Sequence, residues 1–512
     1  MSRNEEYDLY HHSNQLPSDT NKPTTTKTTT MNVSDTDNSK DEKRRKLLQT
    51  IAGVIGNILE WYDFALFGIF SDIIGDVFFP PQEGDAAVIE SFAVFGSAFI
   101  FRPLGGILIG YIGDKYGRKK ALETSIFFMA IPTFLMGLLP SYARIGYAST
   151  VLLILVRILQ GVSVGGQLTS SLLFTVSSYP KSQWGFYGAV VFATSTVGGV
   201  LGTLVGFVLR QFMAEESLRS WGWRVPFVAG IVMASSAVYL KLYGDEVHVK
   251  TTESENGRRV INPIKEAFAP ENRHTLLSCI LVPMLYAAGG YVTSVWLPIY
   301  MNTIMDPPVP YAFGISSLAN FVGTIIALPL MGMLSDNYGR IRCMTIAACA
   351  LAVLGPMMIT IISERGSDSP FTACAAQTVL FLFISMWLAP MTAWLAVSFP
   401  EHIRLTAVSI GYNICLATVG GFSPAIATMM VDRFGRTSPG YIFTVLAVFT
   451  LIGLHTAPTS VDVCENETDE DGDTKYASFD SSTTSISDSD IEDYSASSIP
   501  LNEGFVNVPS YT

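Results

Sequence analysis

Two carboxylates and an amide recur at every third position in an apolar stretch near the start of the chain. Asn57, Glu60 and Asp63 lie in GNILEWYDFALFGIF, and a helix would place all three on one face. Carboxylates in so apolar a stretch are costly to bury unless they face a cavity or a charged partner. The spacing therefore predicts groups that take up and release a proton on an ion pathway. The alternative is that Glu60 only pairs with Arg102 or Arg157 to hold the helices together.

A second polar stripe lies on a later apolar segment. Arg157, Gln160, Gln167 and Ser171 recur at helical spacing, as the lining of a water-filled pathway would require. A guanidinium can hold a carboxylate through two parallel hydrogen bonds. We expect Arg157 to bind a substrate carboxylate. Arg102 is the second candidate, although its position in FRPLGG also suits a structural charge.

A turn that combines glycines with opposite charges occurs twice, as GYIGDKYGRKK (110–120) and GMLSDNYGRIR (332–342). Its glycines allow two helices to approach closely. Its aspartate can meet a neighbouring helix N-terminus or an arginine, so the turn predicts a charged latch that closes in one state and opens in another. The predicted gating residues are Gly110, Asp114, Gly117, Arg118, Asp336, Gly339, Arg340, Glu401 and Arg404.

The composition excludes most soluble classes of protein. Charged residues make up 15% of the 512 residues, against roughly 25% in an average soluble protein. This excludes a soluble enzyme and a nucleic-acid-binding protein. The six cysteines have no CxxC spacing, so neither a disulfide framework nor a metal site is expected. We expect no cofactor and no catalytic residues, and no phosphate-binding G-x-x-x-x-G-K-[ST] loop occurs.

Apolar runs long enough to cross a membrane predict an all-α membrane protein with twelve spans. The predicted spans are 47–71, 88–112, 120–139, 147–175, 185–210, 223–243, 275–300, 312–334, 342–362, 371–397, 405–430 and 437–457.

The spans divide six from six. The sequence predicts a disordered tail over 1–46, a first bundle over 47–243, a polar loop over 244–274, a second bundle over 275–457 and a disordered acidic, serine-rich tail over 458–512. Lysine and arginine lie beside the loops on one side, which predicts that both termini are cytoplasmic.

The two bundles repeat one another. The charged turn follows the second and the eighth spans, and a proline turn follows the fourth and the tenth spans at Pro180 and Pro400. Two independent matches at nearly the same separation indicate an internal duplication. Parallel six-helix repeats, related by an axis along the membrane normal, are the architecture of one class of transporters.

Several stretches resemble the major facilitator superfamily of transporters, and within it the metabolite:proton symporters that carry proline/betaine, citrate, 2-oxoglutarate or shikimate. The resemblance rests on GNILEWYDFALFGIF, FRPLGGILIGYIGDKYGRKKAL, RILQGVSVGGQ, WGWRVPFVAGI and SFPEHIRLTAVSIGYNICLATVGGFSPAIAT. It implies two pseudo-symmetric bundles and alternating access. It also implies a central helix that carries Tyr412 and Asn413, which we predict to lie at the substrate site.

The sequence departs from this family in three places. Gln167 stands where relatives usually have a glutamate, and an amide cannot titrate. Ser177 and Trp184 replace two charges after the fourth span, and 189–192 reads AVVF where a polar stretch is common. Proton coupling would then depend on Glu60 and Asp63.

We therefore expect a secondary active transporter of a small zwitterionic or anionic metabolite, with proton symport, in the plasma membrane. The alternatives are an uncoupled facilitator of the same solutes and a non-transporting sensor or scaffold that acts through its acidic tail. The serines of that tail suggest kinases or trafficking factors as further partners.

Overall fold

The computed structural model describes residues 33–80, 100–231 and 262–457. These residues form helices joined by turns, and no β-strand occurs among them. Most of the predicted amino-terminal tail, the greater part of the central loop and the tail over 458–512 lie outside the described residues, as do the serines proposed for kinases.

The described helices follow the predicted order of spans. They are α1 (Val33–Ile69), α2 (Ser71–Phe78), α3 (Arg102–Tyr116), α4 (Arg118–Leu138), α5 (Tyr147–Val176), α6 (Trp184–Phe212), α7 (Pro270–Ile304), α8 (Ala312–Tyr338), α9 (Arg340–Arg365), α10 (Pro370–Val397), α11 (Arg404–Phe434) and α12 (Tyr441–Thr456). A short helix, Pro263–Ala267, precedes α7.

Within the described ranges, nine helices are long and apolar enough to cross a membrane, or ten if α1 and α2 form one bent span. Those nine correspond to nine of the twelve predicted spans. The predicted second and sixth spans are described only in part, over residues 100–112 and 223–231, and the remainder of each lies outside the described residues.

The first span differs from its prediction at both ends. Helix α1 begins at Val33, upstream of the expected start at Leu47. At its other end the chain bends by 72° at Phe70 and continues as α2, so the predicted end at residue 71 falls at this bend.

The helical core exposes apolar side chains and buries charged ones, the reverse of the distribution in a soluble protein. Large apolar side chains such as Phe207, Leu330 and Val353 are exposed, while Asp63 and Arg157 are completely buried. An exposed apolar surface of this extent marks a lipid-facing protein. The charged groups predicted to do chemistry therefore lie inside the bundle.

Glycines allow the two halves of the chain to touch at two related places. A Cβ at Gly110 of α3 would lie 2.6 Å from Thr406 Cα of α11. A Cβ at Gly332 of α8 would lie 2.6 Å from the carbonyl oxygen of Gly185 of α6. Only glycine permits such close packing of backbones, so α3–α11 and α6–α8 form two matching contacts between the halves.

Candidate functional site

Asp63 and Arg157 form an ion pair sealed inside the first half. Arg157 Nη1 lies 2.7 Å from Asp63 Oδ2, and neither side chain is exposed. Asp63 Oδ1 accepts hydrogen bonds from Gln160 Nε2 at 2.9 Å and from Thr133 Oγ1 at 3.0 Å. The Arg157 guanidinium also lies 3.8 Å from the centroid of the Phe67 ring. Both carboxylate oxygens are thus engaged within one bundle.

Glu60 faces a different arginine. Its Oε1 lies 4.0 Å from Arg102 Nη2, and both side chains are buried. Arg102 Nε donates to Asn413 Oδ1 of α11 at 3.5 Å, and Asn413 Nδ2 donates to the carbonyl oxygen of Gly165 at 2.6 Å. Arg102 therefore connects a carboxylate of the first half with an amide of the second half.

Aromatic rings from both halves gather beside this pair, in what we call the aromatic cluster: Phe192, Tyr286, Tyr291 and Tyr412. The Phe192 ring meets Tyr286 edge-on with centroids 5.6 Å apart and Tyr412 with centroids 6.4 Å apart. All three tyrosines lie close enough to Arg102 to interact with it electrostatically. The cluster and the Glu60–Arg102 pair together form the candidate site.

The helices that carry these tyrosines are locally widened. A π-helical turn, Val292–Trp296, directly follows Tyr291 in α7, and a second one, Leu416–Gly420, follows Tyr412 in α11. Such turns occur often at functional sites because they re-aim side chains within a helix. Three further π-helical turns occur elsewhere in the described residues, so the assignment of the site rests on the contacts of the side chains and not on these turns.

The side chains along the α1–α5 contact form a polar seam. Ser171 Oγ donates to the carbonyl oxygen of Gly53 at 2.6 Å, and Asn57 Nδ2 lies 3.3 Å from Ser171 Oγ. Gln167 packs against Gly56, where a Cβ would lie 1.9 Å from its Nε2 atom. The seam consists of Thr50, Gly53, Gly56, Asn57, Glu60, Asp63, Arg157, Gln160, Gln167, Ser171 and Thr175.

The first predicted latch joins the halves at one end of the molecule. Asp114 accepts from the backbone N–H groups of Leu405 at 3.0 Å and of Thr406 at 2.7 Å, at the start of α11. A helix N-terminus is a favourable place for a carboxylate because its N–H groups are unpaired within the helix. Arg118 Nη2 lies 3.1 Å from Glu401 Oε1.

The second latch repeats this geometry at the start of α6. Asp336 accepts from the N–H groups of Gly185 and Phe186, each at 2.9 Å. Arg340 lies 3.0 Å from Asp336 and also donates to the carbonyl oxygen of Lys181. We call the end of the molecule that carries both latches the latch end.

The remaining gating residues shape the turns themselves. Gly117 and Gly339 have φ values of +97° and +99°, which an L side chain would strain. Arg404 Nε donates to the carbonyl oxygen of Phe399 at 2.8 Å. This hydrogen bond of Arg404 lies within its own turn and does not connect the two halves.

The structure brings the predicted site residues into two groups. Glu60, Arg102, Tyr412 and Asn413 meet between the halves, whereas Asp63 and Arg157 meet inside the first half. The role predicted for Arg157 in binding a substrate carboxylate stays a prediction, and in this state its guanidinium is held by Asp63. Gln167 lies in the seam.

Three contributors were not predicted as site residues. Tyr286 and Tyr291 have no motif that would distinguish them from other aromatic residues in an apolar span. Phe192 was visible only as a departure from the polar stretch common in the family, and its contact with Tyr412 depends on how the two halves pack.

Two family models match the chain. The family described as "Sugar (and other) transporter" matches residues 49–246, and the "Major Facilitator Superfamily" matches residues 309–478. A proline/betaine transporter of Salmonella typhimurium is 32% identical over 421 residues, 80% of this chain and 83% of that protein. The glycine betaine/proline/ectoine/pipecolic acid transporter OusA of Dickeya dadantii is 30% identical over the same shares of each chain.

Solved structures agree on the fold. A double-tryptophan mutant of XylE has a TM-score of 0.65 at 17% identity, covering 81% of this chain and 97% of that one. The partially occluded, inward-open xylose transporter XylE from E. coli has a TM-score of 0.57 at 16% identity, covering 81% and 98%. At these identities the likeness supports the fold alone, and it confirms the predicted fold class of two pseudo-symmetric six-helix bundles.

The resemblance noted in the sequence is thus confirmed over most of the chain, and the protein is a multi-pass integral membrane protein. From its motifs, its helical architecture and its relatives, it belongs to the major facilitator superfamily of transporters, in the family that includes the proline/betaine transporters.

Proposed function

We propose that this protein is a proton symporter for a small zwitterionic solute, with glycine betaine and proline as the first candidates. The observation that carries the proposal is the Glu60–Arg102 pair, which lies between the halves beside the aromatic cluster. The named substrates of the relatives, proline and betaine, support the same solute class.

The site offers complementary groups for the two ends of a zwitterion. Arg102 is placed to take a carboxylate, because the other candidate, Arg157, already has Asp63 as its counter-ion. The faces of the Phe192 and Tyr412 rings can attract an ammonium group. A citrate-like solute would need more positive charge than one guanidinium supplies, so a monocarboxylate zwitterion is the better fit.

The same geometry supplies a reason for proton coupling. Glu60 and a bound substrate carboxylate would compete for the single guanidinium of Arg102. Two negative charges beside one buried positive charge are costly in a low-dielectric interior. A proton on Glu60 removes this cost, so proton uptake accompanies substrate binding. Asp63, with both oxygens engaged, is the second candidate for the coupling group.

The two latches support alternating access and an orientation. Asp114 and Asp336 hold the halves together at the latch end. Basic residues follow both charged turns at this end, and lysine and arginine are enriched in cytoplasmic loops. We therefore infer that the latch end and both termini face the cytoplasm and that the described state is closed on that side. We further propose the plasma membrane, which stays a prediction from the sequence alone.

Transport by purified protein in lipid vesicles tests the solute and the coupling together. Uptake of glycine betaine, proline, citrate and 2-oxoglutarate is measured with and without an inward proton gradient. We expect glycine betaine or proline to accumulate only when the gradient is present. The proposal is wrong if none of the four solutes enters the vesicles. Proton coupling is wrong if a solute accumulates equally with and without the proton gradient.

The Glu60→Gln variant tests the coupling group. It keeps a side chain of similar size beside Arg102 but cannot carry a proton in or out. We expect exchange of labelled for unlabelled solute to continue and gradient-driven accumulation to disappear. Glu123→Gln is the matched control, because Glu123 is a buried glutamate of the same half that pairs with Lys120 and lies outside the site.

An uncoupled facilitator is the second candidate, and Gln167 favours it because an amide replaces the glutamate expected from the family. In that case Glu60→Gln would leave net uptake down a solute gradient unchanged, and the wild-type protein would show no substrate-induced proton flux.

A further inference from the structure

Helix α3 presents four residues at intervals of four to the start of α11. They are Arg102, Gly106, Gly110 and Asp114. Residues four apart lie one above the other on a helix, so these residues form a single stripe. Asp114 binds the N-terminus of α11 at the latch end, and Arg102 reaches the candidate site at the other end. The stripe therefore connects the candidate site with the first latch.

Helix α11 faces this stripe with polar residues of its own. A Cβ at Gly106 would lie 2.9 Å from Asn413 Nδ2 and 3.0 Å from the carbonyl oxygen of Ser409. Ser409 Oγ also lies 2.6 Å from Thr169 Oγ1 of α5. The two halves are thus in close contact between the latch and the candidate site, and an opening of the latch end that reaches the site must separate these groups.

The side chain of Asn413 is fixed in one orientation at the inner end of this contact. Its Nδ2 atom donates to the carbonyl oxygens of Gly165 at 2.6 Å and of Ser409 at 2.8 Å. Carbonyl oxygens only accept hydrogen bonds, so the amide nitrogen must face them and the amide oxygen must face Arg102. Asn413 Oδ1 lies 3.5 Å from Arg102 Nε, and both side chains are buried. This bond links the second half to the first.

Arg102 meets Glu60 and Asn413 along the same edge of its guanidinium. The edge consists of the Nε and Nη2 atoms, whose parallel N–H groups suit the two oxygens of a carboxylate. Nε lies 3.5 Å from Asn413 Oδ1, and Nη2 lies 4.0 Å from Glu60 Oε1. Charge-assisted hydrogen bonds are normally about 2.7–2.9 Å long. A substrate carboxylate can therefore bind this edge more closely than either residue does, and it would displace both.

The matching α6–α8 contact differs at its inner end. The corresponding stripe of α8 contains Asp336, Gly332 and Leu328, and the repeat places Thr324 where α3 has Arg102. Threonine carries no charge that could attract a carboxylate. Of these two described stripes, the one on α3 is therefore the one that a substrate carboxylate can act on.

We propose that Asn413 links substrate binding to the opening of the latch end. Without substrate, the bond between Arg102 and Asn413 adds to the closure of the latch end. When a substrate carboxylate takes the guanidinium edge, this bond is lost and α11 separates more readily from α3. Asn413 is thus a positioning residue that acts through Arg102. This inference rests on the carboxylate site of the proposed function and adds the step by which binding leads to opening.

Thermodynamic linkage makes the effect reciprocal. If the substrate must break the bond in order to bind, the bond weakens substrate binding by the same factor by which the substrate favours opening. A hydrogen bond to a charged group corresponds to about a tenfold change in an equilibrium at the low end of its range, which suits a bond of 3.5 Å. Removing the Asn413 amide should therefore tighten substrate binding about tenfold. If Asn413 held the substrate itself, its removal would weaken binding.

Spin labels and a binding measurement test this coupling on the full-length protein in lipid vesicles, at one pH and without a gradient. Lys120→Cys and Tyr338→Cys, at exposed positions of opposite halves, carry labels that report the ratio of open to closed molecules at the latch end. Radiolabelled glycine betaine or proline reports the dissociation constant. With the wild-type residue at position 413, saturating solute should raise the ratio about tenfold.

Asn413→Ala should change three quantities together. The ratio of open to closed molecules without solute should rise, because a bond between the halves is missing. Saturating solute should raise this ratio no further, because no bond is left for the carboxylate to break. The dissociation constant should fall about tenfold.

Ser409→Ala is the matched control. It removes a hydroxyl that bonds Thr169 across the same two halves and leaves the bond between Arg102 and Asn413 in place. It should raise the ratio without solute but keep the response to solute and the wild-type dissociation constant. Choline is the matched ligand, because it has the ammonium group of glycine betaine and no carboxylate. It should leave the ratio unchanged.

The outcomes separate this inference from the proposed function. If neither solute binds, the proposed function is wrong. If a solute binds but leaves the wild-type ratio unchanged, or if choline raises that ratio as glycine betaine does, the role of Asn413 is wrong and the proposed function stands. An Asn413→Ala variant that binds solute more weakly or still responds to it leads to the same conclusion. If this variant does not fold, Asn413→Ser, whose hydroxyl is one bond shorter than the amide, must show the same tightening.

Discussion

The first latch gives the sharpest quantitative prediction. Replacing Asp114 by asparagine should shift the protein towards the state in which the latch end is open. Asp114 accepts backbone hydrogen bonds from Leu405 and Thr406 through separate carboxylate oxygens. Asparagine keeps one acceptor oxygen but turns an NH2 group towards the second N–H, so one hydrogen bond is lost and the other is no longer made to a charged group.

The magnitude follows from the bond that is lost. A hydrogen bond to a charged group contributes about 1.5–3 kcal/mol. Because each 1.36 kcal/mol corresponds to a factor of ten, the ratio of open to closed molecules should rise about 10- to 150-fold. Asp336→Asn should produce a shift of the same size, because Asp336 makes the equivalent pair of bonds with Gly185 and Phe186.

Spin labels across the latch end measure this ratio. Lys120→Cys and Tyr338→Cys place labels on exposed positions of opposite halves, in a background without native cysteines. Pulsed dipolar spectroscopy then reports the fraction of molecules with a long distance between the labels. Glu216→Gln, which removes an exposed carboxylate just before Arg219 and outside both latches, should leave the distribution unchanged.

The refuting result is equally concrete. If Asp114→Asn and Asp114→Ala both retain the wild-type distance distribution in properly folded protein, the latch does not control closure. Unchanged transport turnover in the same variants at equal surface abundance would lead to the same conclusion.

Two further predictions concern packing and buried charge. Arg157→Met leaves the completely buried Asp63 without its counter-ion, so the thermal unfolding temperature should drop by an amount that reflects about 3–5 kcal/mol. Adding Asp63→Asn should restore part of the lost stability. An unchanged unfolding temperature in Arg157→Met would mean that the pair is not sealed from solvent. Gly110→Ala places a Cβ 2.6 Å from Thr406 Cα and should favour the open latch end in the spin-label assay, whereas Gly68→Ala, with no atom within 4 Å of the new Cβ, should have no effect.

The sequence alone determined the elements and the latch turns. Hydrophobic runs long enough to cross a membrane are a local property, so nine predicted spans appear as helices of sufficient length within the described ranges. The backbone conformation of the turns is also a local property, because Gly117 and Gly339 adopt positive φ values at their positions between two helices. The position of Asp114 and Asp336 within the repeated turn predicted either a helix N-terminus or an arginine as the partner; in the structure both aspartates meet a helix N-terminus, and Arg340 also lies beside Asp336.

Only the tertiary structure decided which charges meet. Glu60 and Asp63 share one face of α1, and Arg102 and Arg157 were both plausible partners for Glu60. The pairing of Glu60 with Arg102 and of Asp63 with Arg157 depends on the depth and rotation of α3 and α5 against α1. Hydrophobic periodicity does not specify these quantities to within a side chain's length, since a helix can turn or slide without changing which residues are apolar. Glycines fix the placement of α3 against α5, because a Cβ at Gly105 would lie 1.9 Å from the carbonyl oxygen of Val162 and a Cβ at Gly165 would lie 2.0 Å from that of Arg102.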